Sequence, residues 1–373
     1  TTMVNPSSSS ASTTTSVSGS LQLIDVYNFD AMNPYFPETK AAGTTVEITF
    51  GDEGVTPKYA LGYWSIRGLG APLTMMLCAA KVPFTLFLYD IHEKGEGGGW
   101  KSDYFTEKPF YVKEYDAPLF NLPFCADREN KMVISQTNAI FSHLGRACGM
   151  LGNDVPSTSN CEQLLCELYD LRNIIVKFSY GDAMKNPEDV LTMAKKHFVR
   201  LEAWLEQEAK IASTKATKED KEELTEDKEN SNGGLVKINE NVEEITEKLE
   251  NVTTEKAEES AETESTDVVH LVNGSFTAPD FHLFEMLDQY EAFSRTYLLG
   301  SALDAYPRLK AFKEGFAALE ENQFYLKSWL HTELPFNSLM AKFGSLPGPK
   351  TYVYGKSTEK VTWMSKGFVK MSP

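Results

Sequence analysis

A chain of 373 residues with 36 Lys and Arg against 53 Asp and Glu carries a formal charge of −17. That length allows two or three domains, and the acidity argues against a nucleic-acid or anionic-membrane binder, since both need a concentrated positive face. Hydrophobic residues make up 42%, as in a globular protein, but no uncharged apolar run reaches the ~18–20 residues of a membrane helix; the best candidate, 73–88, is broken by Lys81 and Pro83.

Taken in chain order, residues 1–20 are a Ser/Thr-rich run expected to be disordered. They lack the basic and apolar regions of a secretory signal. A cytoplasmic location is expected, with a processed organelle form left open. Residues 21–57 form an extension whose strand-like stretch 45–50 is expected to pack onto something. Residues 59–64 read as a strand, 71–80 as an apolar helix and 84–89 as a second strand of aromatic and apolar type. A glycine-rich loop at 95–99 leads into an irregular, aromatic-rich stretch to Ala117. Two short strands, 122–127 and 132–134, flank a polar turn, and a helix is predicted from Gln136–Thr137 to about Cys148. The order β-α-β-loop-β-β-α predicts a small α/β domain over 58–150.

Beyond Asn153 the pattern turns helical. Leu164, Leu165, Leu168, Leu171, Ile175 and Phe178 recur at mostly 3–4 spacing, and 187–207 predicts another helix. Residues 206–267 then hold 20 acids and 8 lysines, a net of −12, with no aromatic residue. Such a segment cannot bury enough apolar surface to offset its ordering entropy, and is read as a mostly solvated insertion. Thr277-Ala-Pro-Asp280 has the signature of a capping box opening a helix through Leu298, and 306–329 gives one or two more. The second domain, 157–343, is expected to be all-α, followed by a basic tail, 344–373. The five cysteines (Cys78, Cys125, Cys148, Cys161, Cys166) form a sparse, odd set without CxxC, which predicts reduced thiols. Cys161 and Cys166 are expected to be packing residues. The six scattered histidines lack metal-ligand spacing, so no metal is expected.

With the pieces placed, the chain resembles a cytosolic glutathione transferase, nearest the mu class. The matching stretches are Leu61-Gly-Tyr-Trp-Ser-Ile-Arg-Gly-Leu69, Phe120-Asn-Leu-Pro123, Ser135-Gln-Thr-Asn-Ala-Ile140, Phe276-Thr-Ala-Pro-Asp280 and Leu303-Asp-Ala-Tyr-Pro-Arg-Leu-Lys310. They occur in the family's order over roughly 58–205 and 268–343. The resemblance implies a thioredoxin-like α/β N-terminal domain that binds glutathione, followed by an all-α C-terminal domain that supplies the electrophile pocket. It also implies glutathione as co-substrate with no other cofactor, an electrophilic small molecule as second substrate, and a homodimer.

The resemblance assigns roles residue by residue. Tyr63 is the hydroxyl donor to the glutathione sulfur: the thiolate is the nucleophile, and a hydrogen bond to it favours the anion. Tyr180 is a second tyrosine that assists certain additions. Trp64 and Leu69 flank the tripeptide, and Trp100 and Lys108 grip its glycine end. Asn121, Leu122 and Pro123 form a cis-proline corner that pairs with its cysteinyl backbone. Gln136 and Thr137 hold the γ-glutamyl end at a helix N-terminus, a natural carboxylate site. Asp170 reaches the partner subunit's ligand. The family's aromatic dimer key falls in register on Leu119-Phe120, so either Phe120 serves with a shifted backbone or the key is absent.

Three features lie outside that pattern. Within the insertion, Leu235, Ile238, Val242, Ile245, Leu249 and Val252 form a short heptad stripe. It fits a helix lying on its own domain or one that docks a protein partner through 235–252. The lysine-rich tail fits a cover over the electrophile pocket, a partner for the acidic insertion, or a solvated end. For function, a glutathione-conjugating enzyme of electrophile detoxification leads. A non-catalytic scaffold of the same fold and a glutathione-dependent isomerase are the alternatives.

Overall fold

The computed structural model describes residues 45–51, 56–94, 98–182, 184–230, 270–345, 360–364 and 367–371. The Ser/Thr-rich start, the heptad stripe with the proposed docking segment 235–252, and part of the glycine-rich loop lie outside these residues.

Five strands form one sheet: β1 (Thr45–Phe50), β2 (Tyr59–Trp64), β3 (Phe84–Tyr89), β6 (Phe124–Asp127) and β7 (Met132–Ser135), in the order β1-β3-β2-β6-β7. Strands β2 and β3 are parallel, joined across α1 (Ala71–Ala79), and the remaining pairs are antiparallel. With α3 (Thr137–Ala147) closing the unit, the four inner strands make the thioredoxin-like arrangement. The stretch expected to pack onto something is a fifth strand of this sheet, so the domain begins at Thr45 rather than at 58. Its anchor is Phe50, fully buried, stacked on Phe84 at 4.4 Å and edge-on to Phe324 at 6.2 Å. By pairing with β3 it covers what is otherwise an open sheet edge.

Between β3 and β6 the chain makes a small hairpin, β4 (His92–Glu93) with β5 (Trp100–Lys101), and then α2 (Asp103–Glu114). This helix replaces the expected irregular stretch. Its N-cap, Ser102, accepts a bond from the Tyr104 N–H, and Pro109 inside it disguises it in the sequence.

The helical domain consists of α4 (Val155–Tyr180), α5 (Pro187–Asn230), α6 (Ala278–Thr296), α7 (Pro307–Ala318), α8 (Glu320–Lys327) and α9 (Trp329–Thr332). Helix α6 runs through the centre of the core, with both faces buried. Its capping box is formed: the Asp280 carboxylate accepts from the Thr277 N–H at 2.8 Å and from the Thr277 hydroxyl at 3.0 Å. Helix α5 does not stop near Gln207 but continues to Asn230 into the acidic stretch, whose Ala, Glu and Lys are good helix formers. At ~1.5 Å per residue it is roughly 65 Å long, and residues 210–214 are all exposed. Both ends of the insertion are tied together. Trp204 donates to the Leu271 carbonyl at 2.7 Å, and Glu208 accepts the Asn273 N–H at 3.0 Å. A long loop therefore closes at little cost to the fold. In the tail, β8 (Lys360–Met364) and β9 (Gly367–Met371) pair as an antiparallel hairpin.

All five cysteines are free. Cys161 is buried as expected, but Cys166 is exposed on α4. Among the described residues no helix is long and apolar enough to cross a membrane.

Candidate active site

The site starts at the end of β2. Tyr63 is 5% exposed, and its ring is enclosed by the turn that follows it. A Cβ built on Gly68 falls 2.8 Å from the Tyr63 hydroxyl oxygen, and one on Gly70 falls 2.7 Å from the ring. Gly68 also has φ 37°, so both space and backbone call for glycine there. Burial raises the Tyr63 pKa above the ordinary phenol value, only partly opposed by the Arg172 charge and the Leu69 backbone. The phenol is thus neutral at physiological pH, with a hydrogen to donate.

A second group of residues stands beside Trp64. Its ring meets Tyr104 edge-on at 5.1 Å. The Tyr104 hydroxyl donates to Asn121 Oδ1 at 3.0 Å, and Lys108 Nζ lies 5.6 Å over the same ring. Trp64, Lys108 and Asn121 are therefore brought together through Tyr104, which the sequence reading passed over. Trp100 sits on β5 of the hairpin, and Tyr104 lies one helical turn before Lys108 on α2. The signal available was the i, i+4 spacing of Tyr104 and Lys108 on one helix face.

Next to Asn121, the Leu122–Pro123 peptide is cis, as the resemblance implied. Ser135 fastens the corner, accepting the Asn121 N–H at 2.9 Å and donating to the Asn121 carbonyl at 3.1 Å. The chain then enters α3 through Gln136, an exposed residue at φ 75° and ψ 117°. A non-glycine residue in that region is strained, and such strain collects at binding sites. Thr137 follows, 3% exposed, and its hydroxyl is buried with no hydrogen-bond partner. The first N–H groups of α3 have no partner within the helix.

Tyr180 ends α4 on the other side of the cleft. Its ring is largely exposed, while its hydroxyl accepts the Ser338 N–H at 2.8 Å and is desolvated enough to raise its pKa. Segment 335–345 is strapped down here. The Arg67 N–H donates to the Pro335 carbonyl at 2.6 Å and the Gly68 N–H to the Phe336 carbonyl at 3.0 Å. The Lys342 N–H donates to the Ser179 carbonyl at 2.8 Å. Trp64, Ile66, Ile91, Pro335 and Leu339 line a narrow cleft under this segment.

Two expected positions remain. Phe120, the candidate for a shifted dimer key, is 2% exposed and turned into its own domain, stacked on Tyr111 at 4.8 Å and close to Phe124 at 4.9 Å. The aromatic pocket formed by α2 and β6 captures it and leaves Leu119 outward, 79% exposed. Asp170 is exposed on α4 and meets none of the residues above.

Comparison with known proteins gives a consistent family. A family model described as the C-terminal domain of glutathione S-transferase matches residues 209–329, about a third of the chain. Mouse glutathione S-transferase Mu 5 is 26% identical over 286 residues, covering 76% of this chain and 95% of that protein. Human glutathione S-transferase Mu 3 is 25% identical over 289 residues, covering 77% and 96%. Among solved structures, the glutathione S-transferase Blo t 8 aligns over 76% of this chain and 99% of its own, with 18% identity and a TM-score of 0.45.

Proposed function

We propose that this chain, a mu-like member of the glutathione transferase family, binds glutathione and transfers its thiolate to small apolar electrophiles, as in their detoxification. The observation that carries the reading is the buried, unpartnered hydroxyl of Thr137 beside the strained Gln136 at the start of α3. An orphan buried hydroxyl costs the folded protein stability. Here it lies where helix N–H groups favour a carboxylate, the γ-glutamyl end of the tripeptide.

In this reading the Leu122 backbone, turned by the cis bond, pairs with the cysteinyl unit, and Tyr104, Lys108 and Asn121 face the glycine carboxylate. The sulfur then sits against Tyr63. Being neutral, the Tyr63 hydroxyl donates to the sulfur and favours the anion over the thiol, whose proton passes to solvent. The thiolate's electron pair forms the C–S bond; in a substitution the leaving group departs with its bonding pair, and in an addition the resulting anion takes a proton from solvent. No metal or redox group is needed for these steps. The narrow cleft under segment 335–345 is lined mainly by apolar side chains, which suit an apolar electrophile. Tyr180 holds Ser338, one of its lining residues, and, once released from it, is a second donor to developing charge.

Leu119, with Phe110 at 60% exposed on the neighbouring helix, offers an apolar face for a second copy of the chain. A homodimer formed there brings Asp170 toward the partner's ligand. The free thiols suit a reducing compartment such as the cytoplasm. An isomerase would use the same thiolate, and a scaffold would bind glutathione without turnover.

Thr137→Val tests the carrying observation, because it keeps the shape and removes the hydroxyl. Calorimetry is expected to show glutathione affinity about tenfold weaker, ~1.4 kcal/mol, with an unchanged or higher melting temperature. Unchanged affinity would remove the γ-glutamyl site from α3.

A further inference from the structure

Arg67, four residues beyond Tyr63, has no place in the chemistry above, yet it is 4% exposed and ion-paired through Nη2, with its Nε buried and without a hydrogen-bond partner. Its Nη2 donates to Glu285 at 2.7 Å and to Asp288 at 2.8 Å, both on α6 of the helical domain. Gln289 also donates to Glu285 at 3.0 Å, and Lys313 lies 3.4 Å from Asp288. The guanidinium centre sits 4.2 Å over the ring of Phe336. The Arg67 backbone adds its N–H bond to Pro335, and its carbonyl accepts from the Gly70 N–H at 3.0 Å and the Ala71 N–H at 2.8 Å.

Burying a charge cluster is costly unless its geometry is good, and such clusters are weak as sources of stability. What this one does is join three parts, loop 65–70, helix α6 and segment 335–345, adding side-chain ion pairs to the Gly68 N–H bond that already ties the loop to the Phe336 carbonyl. The loop is the one whose glycines enclose the Tyr63 ring.

We propose that Arg67 is the positioning residue of the thiolate site, clamping loop 65–70 between α6 and segment 335–345 so that Gly68 and Gly70 stay closed against the Tyr63 ring. The inference rests on the reading of Tyr63 as the thiolate's donor. Enclosed by those glycines, the ring keeps one place for its hydroxyl. A loosened loop leaves glutathione bound at α3 and the cis-proline corner but weakens the bond to its sulfur. The effect therefore falls on turnover and on the thiol's ionisation rather than on tripeptide affinity. The charged and titratable groups facing Tyr63 are Arg172, Tyr169 and Tyr180. Those facing Arg67, besides its two acids, are Tyr325 and, around Asp288, His331 and Lys313.

Three variants test the clamp, each assayed with glutathione and chlorodinitrobenzene across pH: Arg67→Lys, which keeps the charge, Glu285→Gln, which leaves the Asp288 pair, and Phe336→Leu, which removes only the ring. The expected result is kcat about tenfold lower for Arg67→Lys and about threefold lower for the other two. The KM for glutathione should stay within about twofold, and the pH of half-maximal kcat should rise by ~0.5–1 unit. Circular dichroism establishes folding, and Phe336→Leu, at a partly exposed position, is the mildest change. Folded variants with lower melting temperatures but wild-type kcat and pH midpoint overturn the proposal, as does loss of the fold in all three. A Tyr63→Phe control separates the two levels. If it leaves turnover intact, the reading of the site fails, whereas if it alone lowers turnover, only the clamp fails.

Discussion

Tyr63→Phe is expected to lower conjugation of chlorodinitrobenzene about 10²-fold, ~2.7 kcal/mol of transition-state stabilisation, with glutathione affinity within about threefold of wild type. The ring of phenylalanine fills the same space between Gly68 and Gly70, so the fold around the site is kept. What disappears is a single donor in a nearly water-free position, 5% exposed, where a hydrogen bond to an anion counts for more than in water. The contacts proposed for the rest of the tripeptide, at α2, the cis-proline corner and α3, do not depend on that hydroxyl. Steady-state kinetics and calorimetry separate the two effects. Equal losses in affinity and turnover would place Tyr63 in binding rather than in chemistry.

His282→Leu is expected to raise the stability of the protein at neutral pH by ~1–3 kcal/mol and to flatten its loss in mild acid. His282 lies on α6, fully buried and stacked on Phe141 at 5.4 Å, and neither ring nitrogen has a hydrogen-bond partner. Burial, helped by the Arg172 charge, pushes its pKa down to about 3 from an ordinary 6.5. The unfolded chain therefore takes up a proton below pH 6.5 that the folded one refuses until about 3. Stability falls as pH drops through that window, by about 2–3 kcal/mol at pH 4.5. His331, also pushed down to about 3 by burial, adds in the same direction. Asp288, whose carboxyl Arg67 holds well below the usual range, contributes loss only under the ordinary carboxylate pKa of 3.8. Comparing wild type with the variant by urea unfolding at pH 7 and 4.5 isolates His282, because Glu285, Glu107 and Glu333, whose carboxyls burial pushes up, titrate alike in both. Parallel losses in wild type and variant would contradict the assignment.

Much of the site could be read in advance because its parts are short local patterns. Tyr63 ends a strand, the cis Leu122–Pro123 corner precedes another, and Gln136-Thr137 opens a helix, each within a few residues of sequence. What could not be read depends on packing between distant residues. Which of Leu119 and Phe120 faces outward is decided by the aromatic pocket of Tyr111 and Phe124. Helix α2 was hidden by Pro109, and with it the meeting of Tyr104 and Asn121. Segment 335–345 is held largely by backbone N–H and carbonyl groups, which leave no mark on residue type. The Arg67–Glu285 pair joins positions 218 residues apart. The extension of α5 to Asn230 shows the reverse case. Its composition had read as solvated sequence, although Glu, Lys and Ala favour helix as readily as they favour water.

The central claim is that Tyr63 stabilises a glutathione thiolate, and the ultraviolet absorbance of the thiolate tests it without any electrophile. Titrating the protein–glutathione complex should give a thiol pKa well below the free value of ~8.5. It should move up by ~2 units in Tyr63→Phe, the same 10²-fold expected in rate. Glutathione that binds but titrates as the free thiol, or a depressed value that survives the loss of the hydroxyl, would contradict the account.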